Sequence, residues 1–231
     1  ISRIRAKNSM VNGYYNASGG VVPWIRIIND TAVAVNQQGR RAGAVTVALD
    51  TWHLDIEKFL ELQTENGDQR TKAYDIYPQV EVSDIFMKRV EKDEMWTLVD
   101  PYEIRMKYNL ELCELYGVEF EKIYLQIEND ETLTLKKRIR ARELFKEIMK
   151  VQIETGMPYI FFKDRANRMN HINHIGMIGN GNLCMESFSN FAPSKNYTEE
   201  ENNGSGVRKV DLGMVHTCNL VSMNLAEIER D

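Results

Sequence analysis

Amphipathic helical segments alternate with short apolar runs along this chain, and that order admits few architectures. Residues 22–38 read as a helix: Pro23 suits the first helical position, and Ile25, Ile28, Ala32 and Val35 recur at helical spacing before Gly39. Residues 44–49 are a short, mostly apolar run that fits a buried strand. Asp50 and Thr51 are the expected caps of the next helix, which turns Ile56, Phe59 and Leu60 inward. Residues 64–68 form a polar turn, and residues 80–82 read as a strand. Ser83 caps a helix running to Val90. Residues 110–129 read as a charged helix with an apolar stripe at Leu115, Phe120, Ile123 and Ile127. Residues 140–155 read as another, with Leu144, Phe145, Ile148 and Met149 on one face. Gly156 and Pro158 end it, and residues 159–162 follow as a strand. Helix, strand, helix, strand, helices, strand favours an α/β class with functional loops at the strand ends. Residues 193–206, rich in Ser, Asn, Glu and Gly, read as a surface loop or insertion, and order returns from Cys218 to Leu225.

At 231 residues the chain is long enough for one sizeable core. A net charge of −5 gives no general attraction to a nucleic acid polymer or an anionic membrane. No run approaches the ~18 apolar residues of a membrane span. Three scattered cysteines, Cys113, Cys184 and Cys218, do not make a disulfide scaffold, so reduced thiols and a cytoplasmic location are expected. The chain lacks an initiator Met, and the expectation is a fragment or a processed piece.

The stretch Asn182-Leu183-Cys184-Met185-Glu186 carries the most chemistry. In an extended chain it presents an amide, a thiol and a carboxylate to one side and two apolar anchors to the other. The glycines at 176, 179 and 181 allow close backbone approach before it. Its plain alternative is a buried cysteine beside a solvated Glu. Cys218 reads either as a small apolar residue in a strand or as half of a dithiol, while Cys113, beside Leu112 and Leu115, reads as packing. Gln37-Gln38-Gly39-Arg40-Arg41-Ala42-Gly43 combines guanidiniums, amides and glycines in a way that suits a nucleotide, or else is a solvated helix end. Arg3, Arg5 and Lys7 are a second basic group with the same two readings. His53 with Asp55, and His171 with His174, are too few ligands for a metal sphere, so no metal is expected in this chain.

Taken in order, several stretches resemble the large subunit of ribonucleotide reductases. They are Asn16-Ala17-Ser18-Gly19-Gly20-Val21-Val22-Pro23, Asn29-Asp30-Thr31-Ala32, Arg41-Ala42-Gly43-Ala44 and Trp52-His53-Leu54-Asp55-Ile56. Asp84-Ile85-Phe86-Met87-Lys88-Arg89-Val90, Glu154-Thr155-Gly156-Met157-Pro158-Tyr159, the Cys184 stretch and Cys218-Asn219-Leu220 continue the match. The resemblance implies part of a ten-stranded α/β barrel with a radical cysteine on a central finger loop. One partial catalytic barrel domain over 1–231 is expected, with effector loops in 1–43, the radical-cysteine loop at about 176–190 and the start of the second half-barrel at about 214–231.

The resemblance implies a thiyl radical at Cys184, a general base at Glu186, a ribose hydrogen bond from Asn182 and a redox-pair role for Cys218. It implies effector contacts at Arg5, Gln37 and Arg41. The activity implied is reduction of ribonucleoside diphosphates to deoxyribonucleotides. Its implied partners are a ribonucleotide substrate, deoxynucleotide and ATP effectors, and a thioredoxin- or glutaredoxin-type reductant. A homodimer and a radical-generating small subunit with a dimetal centre are implied too, adenosylcobalamin being the alternative radical source. The family's second redox cysteine, its substrate phosphate loop and its C-terminal cysteine tail are not among these residues, so the chain alone is expected to be inactive. The competing readings are a nucleotide-binding regulatory module without turnover, and a metal hydrolase built on His53 and Asp55.

Overall fold

The computed structural model describes residues 1–35, 39–40, 42–190, 195–200, 206–211, 213–214 and 221–228, with 195–200 and 206–211 described by their backbone. The chain runs α1 (Val22–Ala34), β1 (Val45–Asp50), α2 (Ile56–Leu60), β2 (Ile76–Val82), α3 (Asp84–Lys92), β3 (Met95–Val99) and α4 (Pro101–Tyr108). It continues through α5 (Gly117–Asn129), β4 (Lys136–Arg140), α6 (Ala141–Thr155), β5 (Tyr159–Phe162) and α7 (Lys163–Arg168). The strands β6 (Lys195–Glu200) and β7 (Gly206–Asp211) and the short helix α8 (Leu225–Ile228) close the order.

The α/β class expected from the alternation is what forms. β1, β2 and β5 make a parallel sheet in that order. Parallel neighbours need a crossover, and the helices between these strands supply it. Among the described residues this sheet has three strands and does not close on itself.

Strand register decides what each face of the sheet offers. Ala48 pairs with Gln79 and Asp50 with Glu81, while Gln79 pairs with Tyr159 and Glu81 with Phe161. With a side-chain period of two, these residues share one face, and Val47, Leu49, Val80 and Val82 share the other. The aliphatic face joins Ile25 of α1, Phe59 of α2, Phe86 of α3 and Leu144 and Ile148 of α6 in one apolar core. The opposite face carries the polar groups that build the site.

Several boundaries differ from the sequence reading. Asp50 and Thr51 do not cap α2; Asp50 ends β1, and Asp55 stands at the helix start. The Asp55 carboxylate instead accepts from the backbone N–H of Lys7 and of Val21, tying the N-terminal segment to α2. β2 begins at Ile76, ahead of the expected strand, because Pro78 within it weakens the strand signal. The long helix expected over 110–129 is a single turn at Leu112–Glu114 and then α5, which opens at Gly117 with φ +60. β3, α4 and β4 were not anticipated; β4 pairs antiparallel with β3. The polar stretch read as a loop contains β6, paired antiparallel with β7. α1 ends at Ala34, ahead of the expected limit. Ser83 does cap α3, accepting from the Phe86 N–H, and Gly156 does end α6 in the left-handed conformation. No helix among the described residues is long and apolar enough to cross a membrane.

Candidate active site

Asn182, Cys184 and Glu186 meet on a tight turn, not along an extended strand. Gly181 and Phe188 form an antiparallel bridge, the Asn182 N–H donates to Ser187 O at 3.0 Å, and the Met185 N–H donates to Asn182 O at 3.3 Å. Leu183 and Cys184 therefore occupy the middle of the turn, and Met185 takes φ +64. Period-two alternation cannot apply to such a backbone. Reversal of the chain joins the Asn182 and Glu186 side chains and leaves Cys184 at the tip between them in sequence.

The Asn182 side chain organises the turn. Its amide donates to Glu186 Oε1 at 2.6 Å, and its carbonyl oxygen accepts from the backbone N–H of Glu186 and of Ser187, both at 3.1 Å. The Cys184 thiol at the tip is exposed. The turn is fastened to the sheet by Thr46 of β1, whose hydroxyl donates to Leu183 O at 3.0 Å. A Cβ on Gly181 would stand 2.7 Å from Met185 Sδ and 2.9 Å from the Phe188 ring, so a side chain there would displace both. Phe188 in turn rests on Phe161 of β5, with ring centroids 5.4 Å apart.

Tyr159 of β5 lies in the field of this turn. Its hydroxyl is pushed above the ordinary tyrosine range, first by burial and then by negative charge on Cys184, Tyr77 and Glu186. Its ring stacks on Tyr77 of β2 at 6.4 Å. Thr46 and Tyr77 were missed from sequence. The parallel register that seats Thr46 against the turn and Tyr77 beside Tyr159 is a long-range property with no local signal.

The family model described as "Ribonucleotide reductase, barrel domain" matches residues 1–231. This chain belongs to that family. Among its relatives, the ribonucleoside-diphosphate reductase subunit alpha of Synechocystis is 56% identical over 99% of the chain and 28% of the relative. The proteins of the same name from Helicobacter pylori and Treponema pallidum are 45% and 39% identical, over 87% and 98% of the chain and 25% and 28% of their own lengths. The chain thus spans about a quarter of the length of the curated relatives it matches.

Elsewhere in this ribonucleotide reductase barrel segment, α7 is a buried polar hub. The Lys163 ammonium, on the polar side of the sheet, reaches Glu81 at 3.0 Å, Asp50 at 3.4 Å and the Cys113 carbonyl at 2.5 Å. Burial works against its charge, but Asp50 and Glu81 outweigh that and hold it above the ordinary lysine range. Glu81 is pushed up to about 7, by burial first and by repulsion from Asp50 second, against the pull of Lys163. The neighbouring Asp164 accepts from the backbone N–H of Asp84 at 2.7 Å and of Gly117 at 2.8 Å, fixing the starts of α3 and α5. Cys113 is half-buried and its thiol is pushed up to about 11, chiefly by burial, in keeping with a packing role.

Of the expected effector residues, Arg5 is described. Its guanidinium lies 4.2 Å above the Tyr102 ring and donates to the Met10 carbonyl. Arg3 pairs with Glu114, so these two cations point to different partners. Gln37, Arg41 and Cys218 lie outside the described residues. Gly43, at the end of the stretch expected to meet an effector, presses on α1, where a Cβ would meet Ala32 O at 2.2 Å. Both ring nitrogens of His53 are engaged, Nε2 with Ile4 O at 2.8 Å and Nδ1 with the Asp55 N–H at 3.0 Å. That occupancy disfavours the metal-hydrolase reading, and no group of three or more potential ligands gathers among the described residues.

Proposed function

We propose that this chain is the central part of a ribonucleotide reductase catalytic subunit, in which Cys184 forms the hydrogen-abstracting thiyl. The observation that carries the reading is one turn holding an exposed thiol, a carboxylate and the amide that orients it, within a chain matched throughout by the barrel-domain family. The relatives' printed name, ribonucleoside-diphosphate reductase, supports a diphosphate substrate.

In this reading a radical delivered from a partner subunit converts Cys184 to a thiyl, which takes the 3′ hydrogen of the ribonucleotide. Glu186 accepts the 3′-hydroxyl proton, and the 2′-hydroxyl, protonated by a thiol of the redox pair, leaves as water. Cys218 and a second cysteine supply two electrons and become a disulfide, and the 3′ hydrogen returns from Cys184. An external dithiol restores the pair. Asn182 holds Glu186 and hydrogen-bonds the ribose. Arg5, Gln37 and Arg41 contact a deoxynucleotide effector at a homodimer interface. The radical source is a separate dimetal subunit, and the enzyme works in the cytoplasm.

A module that only binds nucleotides accounts less well for the turn, since binding needs neither a thiol nor a base beside it. The test uses a full-length chain carrying this span, mixed with radical donor, effector, dithiol and a ribonucleoside diphosphate. Formation of the matching deoxynucleotide supports the reading, and its absence with a competent radical donor overturns it.

A further inference from the structure

The Cys184 turn sits at the end of an irregular segment, and three asparagines pin that segment at both feet. Asn167, on α7, is 2% exposed. Its amide donates to Ile178 O at 2.9 Å while its carbonyl oxygen accepts from the Ile178 N–H at 2.8 Å. One side chain thus satisfies both backbone groups of a residue that is itself 4% exposed. Asn190, just beyond the turn, is 3% exposed and donates to Gly176 O at 2.8 Å and Ile172 O at 3.1 Å. Asn170 donates to Asn190 Oδ1 at 3.0 Å and to the same Gly176 carbonyl at 3.1 Å. The outgoing foot of the segment is therefore tied to its incoming foot, and the incoming foot to α7.

An amide is the group this task requires. It offers a donor and an acceptor at once, so it can mimic a strand partner for Ile178; a carboxylate can serve only the N–H and would face the carbonyl with negative charge. Buried polar groups of this kind are strongly directional and resist displacement.

We propose that Asn167, Asn170 and Asn190 are positioning residues that fix where Cys184 stands over its substrate. The proposal rests on the reading of Cys184 as the abstracting thiol. Hydrogen transfer needs the reacting atoms in near contact, and a displacement of about 1 Å costs about 10²-fold in rate. A loosened foot moves the tip of the turn by that scale without touching the substrate.

The test compares full-length enzyme carrying Asn167→Asp or Asn170→Ala with wild type, using radical donor, effector and dithiol. The readouts are kcat, KM and the deuterium isotope effect on kcat with 3′-deuterated substrate. Asn167→Asp is expected to lower kcat by about 10- to 100-fold, leave KM nearly unchanged and raise the isotope effect, because abstraction becomes slower. Asn170→Ala, at a half-buried position, shifts both in the same direction by less, and carries the test if Asn167→Asp does not fold. A fall in kcat with an unchanged isotope effect means only less folded enzyme and overturns the proposal, as does wild-type kinetics in both variants. Failure of the underlying reading is seen separately, as wild type that makes no deoxynucleotide or Cys184→Ser that still makes it.

Discussion

The Asn182 amide and the Glu186 carboxylate are joined across the Cys184 turn by a 2.6 Å hydrogen bond. The same side chain receives the N–H of Glu186, so one residue sets both the backbone and the carboxylate of the proposed base. Asn182→Asp keeps the acceptor and removes only the donor, placing a second carboxylate against Glu186. The expected result is a kcat loss of about 10²-fold or more, the scale for removing one oriented donor. Steady-state kinetics of the full-length variant check it.

Glu186→Gln removes the proposed proton acceptor while preserving size. Turnover is expected to fall by about 10²- to 10⁴-fold, with substrate KM held near the wild-type value. A variant that raises KM and leaves kcat intact would assign Glu186 to binding instead.

The Lys163 cluster makes stability depend on pH. Glu81 is held up to about 7 in the fold against 4.5 as its ordinary value, so the folded state binds that proton more tightly. The stability it supplies is full below pH 4.5 and is lost as pH rises through about 7. Lys163, raised in the fold, keeps its contribution throughout this window and loses it only in the alkaline range. At about 1.4 kcal/mol per unit, the loss attributed to Glu81 is roughly 3 kcal/mol. Urea denaturation at pH 5 and pH 8 is expected to show this slope in wild type and a flatter one in Glu81→Gln.

Asp164 holds two helix starts that lie far apart in sequence. Asp164→Ala leaves two buried or half-buried N–H groups without their charged acceptor, and a loss of about 3 kcal/mol is expected. The urea midpoint measures it, and a change below about 0.5 kcal/mol would contradict the assigned role.

Legibility from sequence tracked how local each signal is. β1 announced itself as an apolar run, α3 through the Ser83 cap and α6 through its stripe and Gly156. β4, Lys-Lys-Arg-Ile-Arg, is exposed at Lys137, Arg138 and Arg140 and among the described residues pairs with β3 alone, so it carries no apolar pattern to find. The residues of the Cys184 turn were legible through the family resemblance, but their geometry was not. A period-two argument has no access to the positive φ of Met185 or to the grip of Asn182 on Ser187. The clamps by Asn167 and Asn190 join residues 11 and 14 positions apart through irregular chain, where no periodicity exists to reveal them.

The most direct test replaces a single sulfur. Full-length native enzyme and Cys184→Ser are assayed side by side for deoxynucleotide formation with radical donor, effector and dithiol. The account predicts product from the native protein and none above background from the variant, with the variant's melting temperature little changed because the thiol is exposed. Normal turnover by Cys184→Ser would contradict it and leave Cys184 a surface cysteine without a part in the chemistry.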